Sequence, residues 1–172
     1  MNKPLDFYEI SADYISYLLQ FDSKVPKVDY SNTGRYDKFL CGIILTVNDQ
    51  NYFAPISSFV TKQRTNIIIK NEKGKPISSI RFSFMIPVPL NEVSVKRIKD
   101  EPSLKYRRLL DYELRFCRRN ANTIIRLAKY VYSSVVEKKD SHIAINCCDF
   151  TKLEAACTNY TQIRGKSASS VE

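Results

Sequence analysis

Two apolar runs constrain the fold most. Lys38-Phe39-Leu40-Cys41-Gly42-Ile43-Ile44-Leu45 and Asn51-Tyr52-Phe53-Ala54-Pro55-Ile56-Ser57-Ser58 are separated by a short polar stretch, Asn48-Asp49-Gln50-Asn51. Apolar runs of this length bounded by turn-forming residues read as an antiparallel hairpin. Such a hairpin brings the start of its first strand to the end of its second, so Lys38 is carried toward Ser57 and Ser58. A cation beside hydroxyls in a basic chain suits the handling of a phosphate.

The rest of the chain builds around that hairpin. Phe7-Tyr8-Glu9-Ile10 reads as a short strand, and Ser11 as the cap of a helix reaching about Phe21, with Tyr14, Ile15, Leu18 and Leu19 on one face. Residues 27–37 form a polar loop carrying Tyr30, Arg35 and Tyr36. Asn66-Ile67-Ile68-Ile69 is another strand, residues 71–76 turn the chain, and the alternating residues 80–86 read as a further strand closed by Pro87 and Pro89. Val93-Ser94-Val95 fits a short edge strand. The second half reads as helices: one capped by Ser103 and running to about Asn120, one over about 121–136, and a last short one capped by Asp149 and ending near Tyr160. His142 falls in the loop between them, and residues 164–172 have little to bury and read as a loose tail. The expectation is one α+β domain over residues 1–163, an antiparallel sheet first with helices packed on it later.

Lys plus Arg number 27 against 18 for Asp plus Glu, a net charge of +9, which points to a polyanionic partner. No apolar run is long enough to cross a membrane, and residues 1–6 lack the apolar core of a secretion signal, so a cytoplasmic protein is expected. That polyanionic partner is a nucleic acid or an acidic membrane surface, and eleven tyrosines with nine phenylalanines favour single-stranded nucleic acid, whose bases stack on rings. Five cysteines at irregular spacing and a single histidine argue for reduced, mostly buried thiols, with no metal site and no cofactor. No Ser-His-Asp set, glycine-rich phosphate loop or paired carboxylates stand out. The chemistry left open is cleavage of RNA by its own 2′-hydroxyl, which asks the protein for in-line geometry, charge stabilisation and proton transfer. On the Ser103-capped helix, Arg107, Arg108, Arg115, Arg118 and Arg119 share one half of the wheel with Asp111, opposite Tyr106, Leu109, Leu110, Leu114 and Cys117. Five arginines against one carboxylate favour a phosphate-binding face over a merely solvated one. The competing readings are an RNA-binding module without catalysis, a basic scaffold, and a DNA-binding protein.

The ordered blocks Phe21-Asp22-Ser23-Lys24-Val25-Pro26, the two hairpin runs, Phe84-Met85-Ile86-Pro87, Tyr106-Arg107-Arg108-Leu109-Leu110, Leu114-Arg115-Phe116 and Cys148-Asp149-Phe150-Thr151-Lys152-Leu153-Glu154 resemble the ToxN/AbiQ family. These are toxins of type III toxin–antitoxin systems that defend bacteria by abortive infection. The resemblance implies a metal-independent endoribonuclease leaving 2′,3′-cyclic phosphate and 5′-hydroxyl ends. It implies a tandem-repeat RNA antitoxin, folded as a pseudoknot, that the toxin cuts from a precursor and assembles with in rings or smaller complexes. It also implies a twisted antiparallel sheet with surrounding helices, similar to the MazF/Kid toxins. By position, Lys38 resembles the family's active-site lysine and Ser57 with Ser58 its hydroxyl pair, while Tyr14 and Phe116 match aromatics tied to activity, or else pack the core. Many members carry Pro-Lys directly after the serine. Here the chain reads Phe59-Val60-Thr61-Lys62-Gln63, so the second basic group is shifted or replaced, with Lys62 and Gln63 as candidates to hold phosphate or base. Lys24, Arg35 and the tyrosines near them are expected to line the groove.

Overall fold

The computed structural model describes residues 4–27 and 41–169. Lys38, Tyr30, Arg35 and Tyr36 lie outside the described residues. Among those described, the strands are β1 (Phe7–Ile10), β2 (Cys41–Val47), β3 (Gln50–Ser57), β4 (Asn66–Lys70), β5 (Pro76–Arg81), β6 (Ile86–Pro87) and β7 (Val93–Val95), and the helices α1 (Ala12–Leu19), α2 (Leu104–Arg119), α3 (Ala121–Val136), α4 (Ser141–Ile145) and α5 (Phe150–Ser169). The strands form one antiparallel sheet in the order β4-β5-β3-β2-β1-β7, with β6 also on β3. The α+β architecture expected from the sequence is present.

At its centre stands the hairpin. β2 and β3 pair from Val47 opposite Gln50 to Gly42 opposite Pro55. Asn48 and Asp49 turn the chain at φ 50° and 59°, the left-handed conformation that a two-residue hairpin loop requires and that Asn and Asp tolerate. Tyr52, Phe53 and Ala54 are consecutive and all fully buried, so both faces of β3 are covered. That is why the run is continuously apolar instead of alternating. Gly42 is required by close approach: a Cβ there would stand 2.4 Å from the Ala54 carbonyl oxygen and 2.7 Å from the Phe53 ring.

Helices cover this centre, α3 against β2 and α5 against β6, with α1 packed on α5. Glu154 of α5 fastens the layers together. Its Oε1 accepts from the Tyr52 hydroxyl at 2.6 Å and the Tyr132 hydroxyl at 2.8 Å, within a cluster of rings that Phe150 completes. Ser11 and Ser103 cap α1 and α2 as expected, each accepting from the backbone N–H three residues on, and Asp149 likewise receives Lys152 N–H.

Three expectations need correcting. The run 80–86 is not one strand. β5 ends at Arg81, a 3₁₀ turn takes Phe82–Phe84, and β6 then pairs Tyr52 and Phe53 while β5 pairs Ile56 and Ser57 further along β3. Phe82, Ser83, Met85 and Ile86 are all buried, so the alternation does not mark one exposed strand face. His142 lies not in a loop but in α4, whose N-terminus is capped by the Asp140 carboxylate. The last helix passes Tyr160 and continues to Ser169, where the sequence reading placed a tail. Arg164 supplies a reason, reaching Glu92 at 3.5 Å and lying over the Tyr160 ring.

Candidate functional site

A cavity of about 590 Å³ opens where β3 ends. Ser57 and Ser58 stand on its wall, as do Lys24 through Lys27, Cys41 at the start of β2, Ser78 and Arg81 of β5, and the inner face of α2 with Tyr106, Leu109, Leu110 and Glu113. The sequence reading brought the two serines toward the start of the first hairpin strand. Cys41, the first described residue of that strand, shares their cavity.

The serines are not equivalent. Ser57 Oγ accepts the Phe59 N–H at 3.1 Å, a strand-end bond that shapes the following turn. Ser58 is exposed, and its hydroxyl is bonded to nothing among the described residues. Of the pair, Ser58 is the more exposed, while Ser57 keeps its hydroxyl proton to donate.

Two ionisable groups missed at the sequence level share the cavity. The Arg81 guanidinium lies against two rings, 4.1 Å from the Phe59 centroid and 4.5 Å from that of Phe84, and burial lowers its pKa. Glu113 is 3% exposed, and burial raises its carboxyl from 4.5 to about 7. Ser78 lies near enough to offset this slightly, although its hydroxyl makes no bond of ordinary geometry. A signal for Glu113 was present, because it stands seven residues from Tyr106 and three from Leu110, on the apolar side of the wheel. Arg81 has no local signal; its neighbours in space mark it out.

The other expected residues divide. Lys24 lines the cavity, but its ammonium donates to the Ile145 and Cys147 carbonyls at the end of α4, at 2.8 and 3.1 Å. Lys62 is turned away, its Nζ donating to the Asn66 carbonyl at 2.7 Å. Gln63 uses its backbone N–H on Asn66 Oδ1, and its side-chain oxygen sits 3.5 Å from Arg81 Nη2. Tyr14 is fully buried beneath Tyr160, with its hydroxyl donating to the Pro87 carbonyl at 2.7 Å, so it is a core residue and presents nothing to RNA.

The arginine face also splits. Arg107 donates twice to the Glu101 carbonyl, and Arg118 donates to the Leu5 carbonyl beside Asp6. Arg108, Arg115 and Arg119 remain exposed, and among the described residues Asp111 forms no ion pair with any of them. Arg115, Phe116 and Arg119 line a second, smaller cavity of about 220 Å³ together with Tyr112 and Glu72. The cysteines are free, four of them buried and Cys157 partly so. Among the described residues no helix is long and apolar enough to cross a membrane.

Comparison with known proteins agrees along nearly the whole length. Residues 6–158 match the family described as toxin ToxN of the type III toxin–antitoxin system. The chain is 30% identical to endoribonuclease ToxN of Pectobacterium atrosepticum, covering 98% of each protein. It is 28% identical to endoribonuclease AbiQ of Lactococcus lactis subsp. lactis, covering 92% of this chain and 90% of that one. Its fold matches a solved structure from a study of selective toxin inhibition by a non-coding RNA pseudoknot, at TM-score 0.82 and 26% identity over 92% of this chain and 99% of that one. It also matches AbiQ, described as a lactococcal anti-phage endoribonuclease, at TM-score 0.79 and 25% identity over 93% and 99%.

Proposed function

Because the chain belongs to the ToxN family of type III toxin–antitoxin toxins, we propose that it is an endoribonuclease acting at the cavity beyond β3. The observation that carries the reading is the exposed Ser58 hydroxyl, unbonded among the described residues, on the wall of a cavity that also holds a cationic side chain. In the proposed reaction the RNA 2′-oxygen attacks the adjacent phosphorus as the bond to the 5′-oxygen breaks. The 2′-proton leaves and the 5′-oxygen gains one, giving a 2′,3′-cyclic phosphate and a 5′-hydroxyl. The RNA supplies the nucleophile, and the protein holds the phosphate and stabilises the charge on the phosphorane.

Ser58 hydrogen-bonds the scissile phosphate or the attacking hydroxyl, and Ser57 supports it by holding the turn. Lys38 is assigned the charge-stabilising role by family resemblance. In the sequence it stands three residues before Cys41, which opens β2 on the cavity wall. Arg108, Arg115, Phe116 and Arg119 extend the RNA path outside the cavity, and Tyr30, Arg35 and Tyr36 belong to the same proposal. The natural inhibitor is a tandem-repeat pseudoknot RNA that the toxin itself cuts and then keeps bound, closing into a ring or smaller assembly in the cytoplasm. The likeness of the twisted sheet to MazF/Kid toxins is part of the same proposal.

The test is cleavage in EDTA. Purified protein should cut RNA under chelation, leave cyclic-phosphate and 5′-hydroxyl ends, and leave 2′-O-methyl RNA intact. RNA that is bound tightly but stays whole would reduce the protein to a non-catalytic binding module.

A further inference from the structure

Arg81 ends β5, opposite Asn66 of β4, and enters the cavity that Ser58 shares. Its guanidinium carbon lies 4.1 Å from the Phe59 ring centroid and 4.5 Å from that of Phe84, within cation–π range, and its N–H groups remain to find partners. Those groups are poorly used. Among the described residues the buried Nε has no hydrogen-bond partner, and Nη2 reaches only Gln63 Oε1 at 3.5 Å. Among the described residues no carboxylate forms an ion pair with it. A partly buried guanidinium with a buried, unbonded donor is costly, because it has given up water without a replacement.

The clamp around it is itself built. Ser57 Oγ receives the Phe59 N–H at 3.1 Å, and Ser79 Oγ donates to the Phe59 carbonyl at 2.6 Å. Two hydroxyls therefore fix the backbone of the residue whose ring lies against the arginine. Lys62 follows the serines as a basic residue but is committed to the Asn66 carbonyl, whereas Arg81 lines the cavity.

From this geometry we infer that Arg81 is a phosphate anchor, gripping non-bridging oxygens of the RNA backbone in the cavity beside Ser58. The inference rests on the ribonuclease reading above and deepens it. A planar fork held against two rings matches two phosphate oxygens, and it needs little reorganisation when RNA arrives. Ser57 then acts on the RNA through Phe59 and Arg81, which gives that serine a positioning role separate from that of Ser58.

The probe is a short 2′-O-methyl RNA, which keeps its phosphates and cannot be cut by its own 2′-hydroxyl. Its affinity is measured across a salt series for wild type, Arg81→Gln, Arg81→Lys and Phe59→Leu, with thermal melting of each. Arg81→Gln should weaken binding about ten- to a hundred-fold. It should also lower the salt slope by about 0.7, the value for one single-strand phosphate. Arg81→Lys should keep the slope and recover only part of the affinity, because a point charge replaces a fork. Phe59→Leu should weaken binding with the slope retained. A folded Arg81→Gln variant with wild-type affinity and slope overturns the inference while wild-type cleavage in EDTA leaves the ribonuclease reading standing. Should Arg81→Gln fail to fold, a Lys variant that binds like wild type overturns the bidentate anchor in its place. A wild-type protein that neither binds nor cuts RNA overturns both.

Discussion

Replacing Glu113 with Gln should make the protein more stable at neutral pH, and the gain should depend on pH in a defined way. The carboxyl is 3% exposed on the inner face of α2. Its electrostatic neighbours among the described residues are Cys41, Tyr106 and Cys117, none of them cationic. Burial raises the pKa of Tyr106 and of Cys117 to about 12 each, and that of Cys41 higher still, so all three are neutral near pH 7. Burial also moves Glu113 from 4.5 to about 7. Below 4.5 the folded and unfolded chains both hold the proton, and the Gln variant should match wild type. Between 4.5 and about 7 the unfolded chain releases its proton and the folded one keeps it, so rising pH favours unfolding. Above about 7 both are ionised and the difference stays constant. At about 1.4 kcal/mol per pH unit, the wild type should lose about 3 kcal/mol relative to the variant over this window. Urea unfolding of both proteins from about pH 4.5 to about pH 8 measures the difference directly, and the other titrating groups cancel in it. A difference that does not change with pH would refute the reasoning. So would a wild type that grows more stable than the variant as pH rises, because that would mean a cation holds the carboxylate charged.

Gly42→Ala should cost about 1–3 kcal/mol, because the new Cβ meets backbone at Ala54 and cannot be relieved by a rotamer change; melting should fall by about 3–10 °C. Converting Arg108, Arg115 and Arg119 together to Gln should lower the salt slope of single-stranded RNA binding by about 2, at about 0.7 per phosphate. The same change at Arg107 and Arg118, which are spent on the Glu101 and Leu5 carbonyls, should alter the slope less.

Local chemistry explains which parts were legible in the sequence. The hairpin could be read because Asn48 and Asp49 interrupt two apolar runs, and α2 because Ser103 caps it and its arginines fall on one side. The break between β5 and β6 could not, because burial of successive residues hides the strand period. The last turns of α5 carry the ion pair of Arg164 with Glu92, seventy-two residues earlier, and no local pattern reports such a contact. At the site, the serines were visible as hydroxyls ending an apolar strand. Arg81 looks like any arginine in a strand, because the Phe59 and Phe84 rings that mark it out meet it only in the fold. Lys62 failed as a cavity cation because a backbone carbonyl four residues on claimed its ammonium.

The most direct test of the account is the single-turnover rate of RNA cleavage by Ser58→Ala, with melting temperature measured on the same preparation. The hydroxyl is exposed, so its loss should leave stability unchanged while cleavage slows by about a hundred-fold or more. Cleavage at the wild-type rate by a folded Ser58→Ala protein would contradict the account and place the chemistry away from the end of β3.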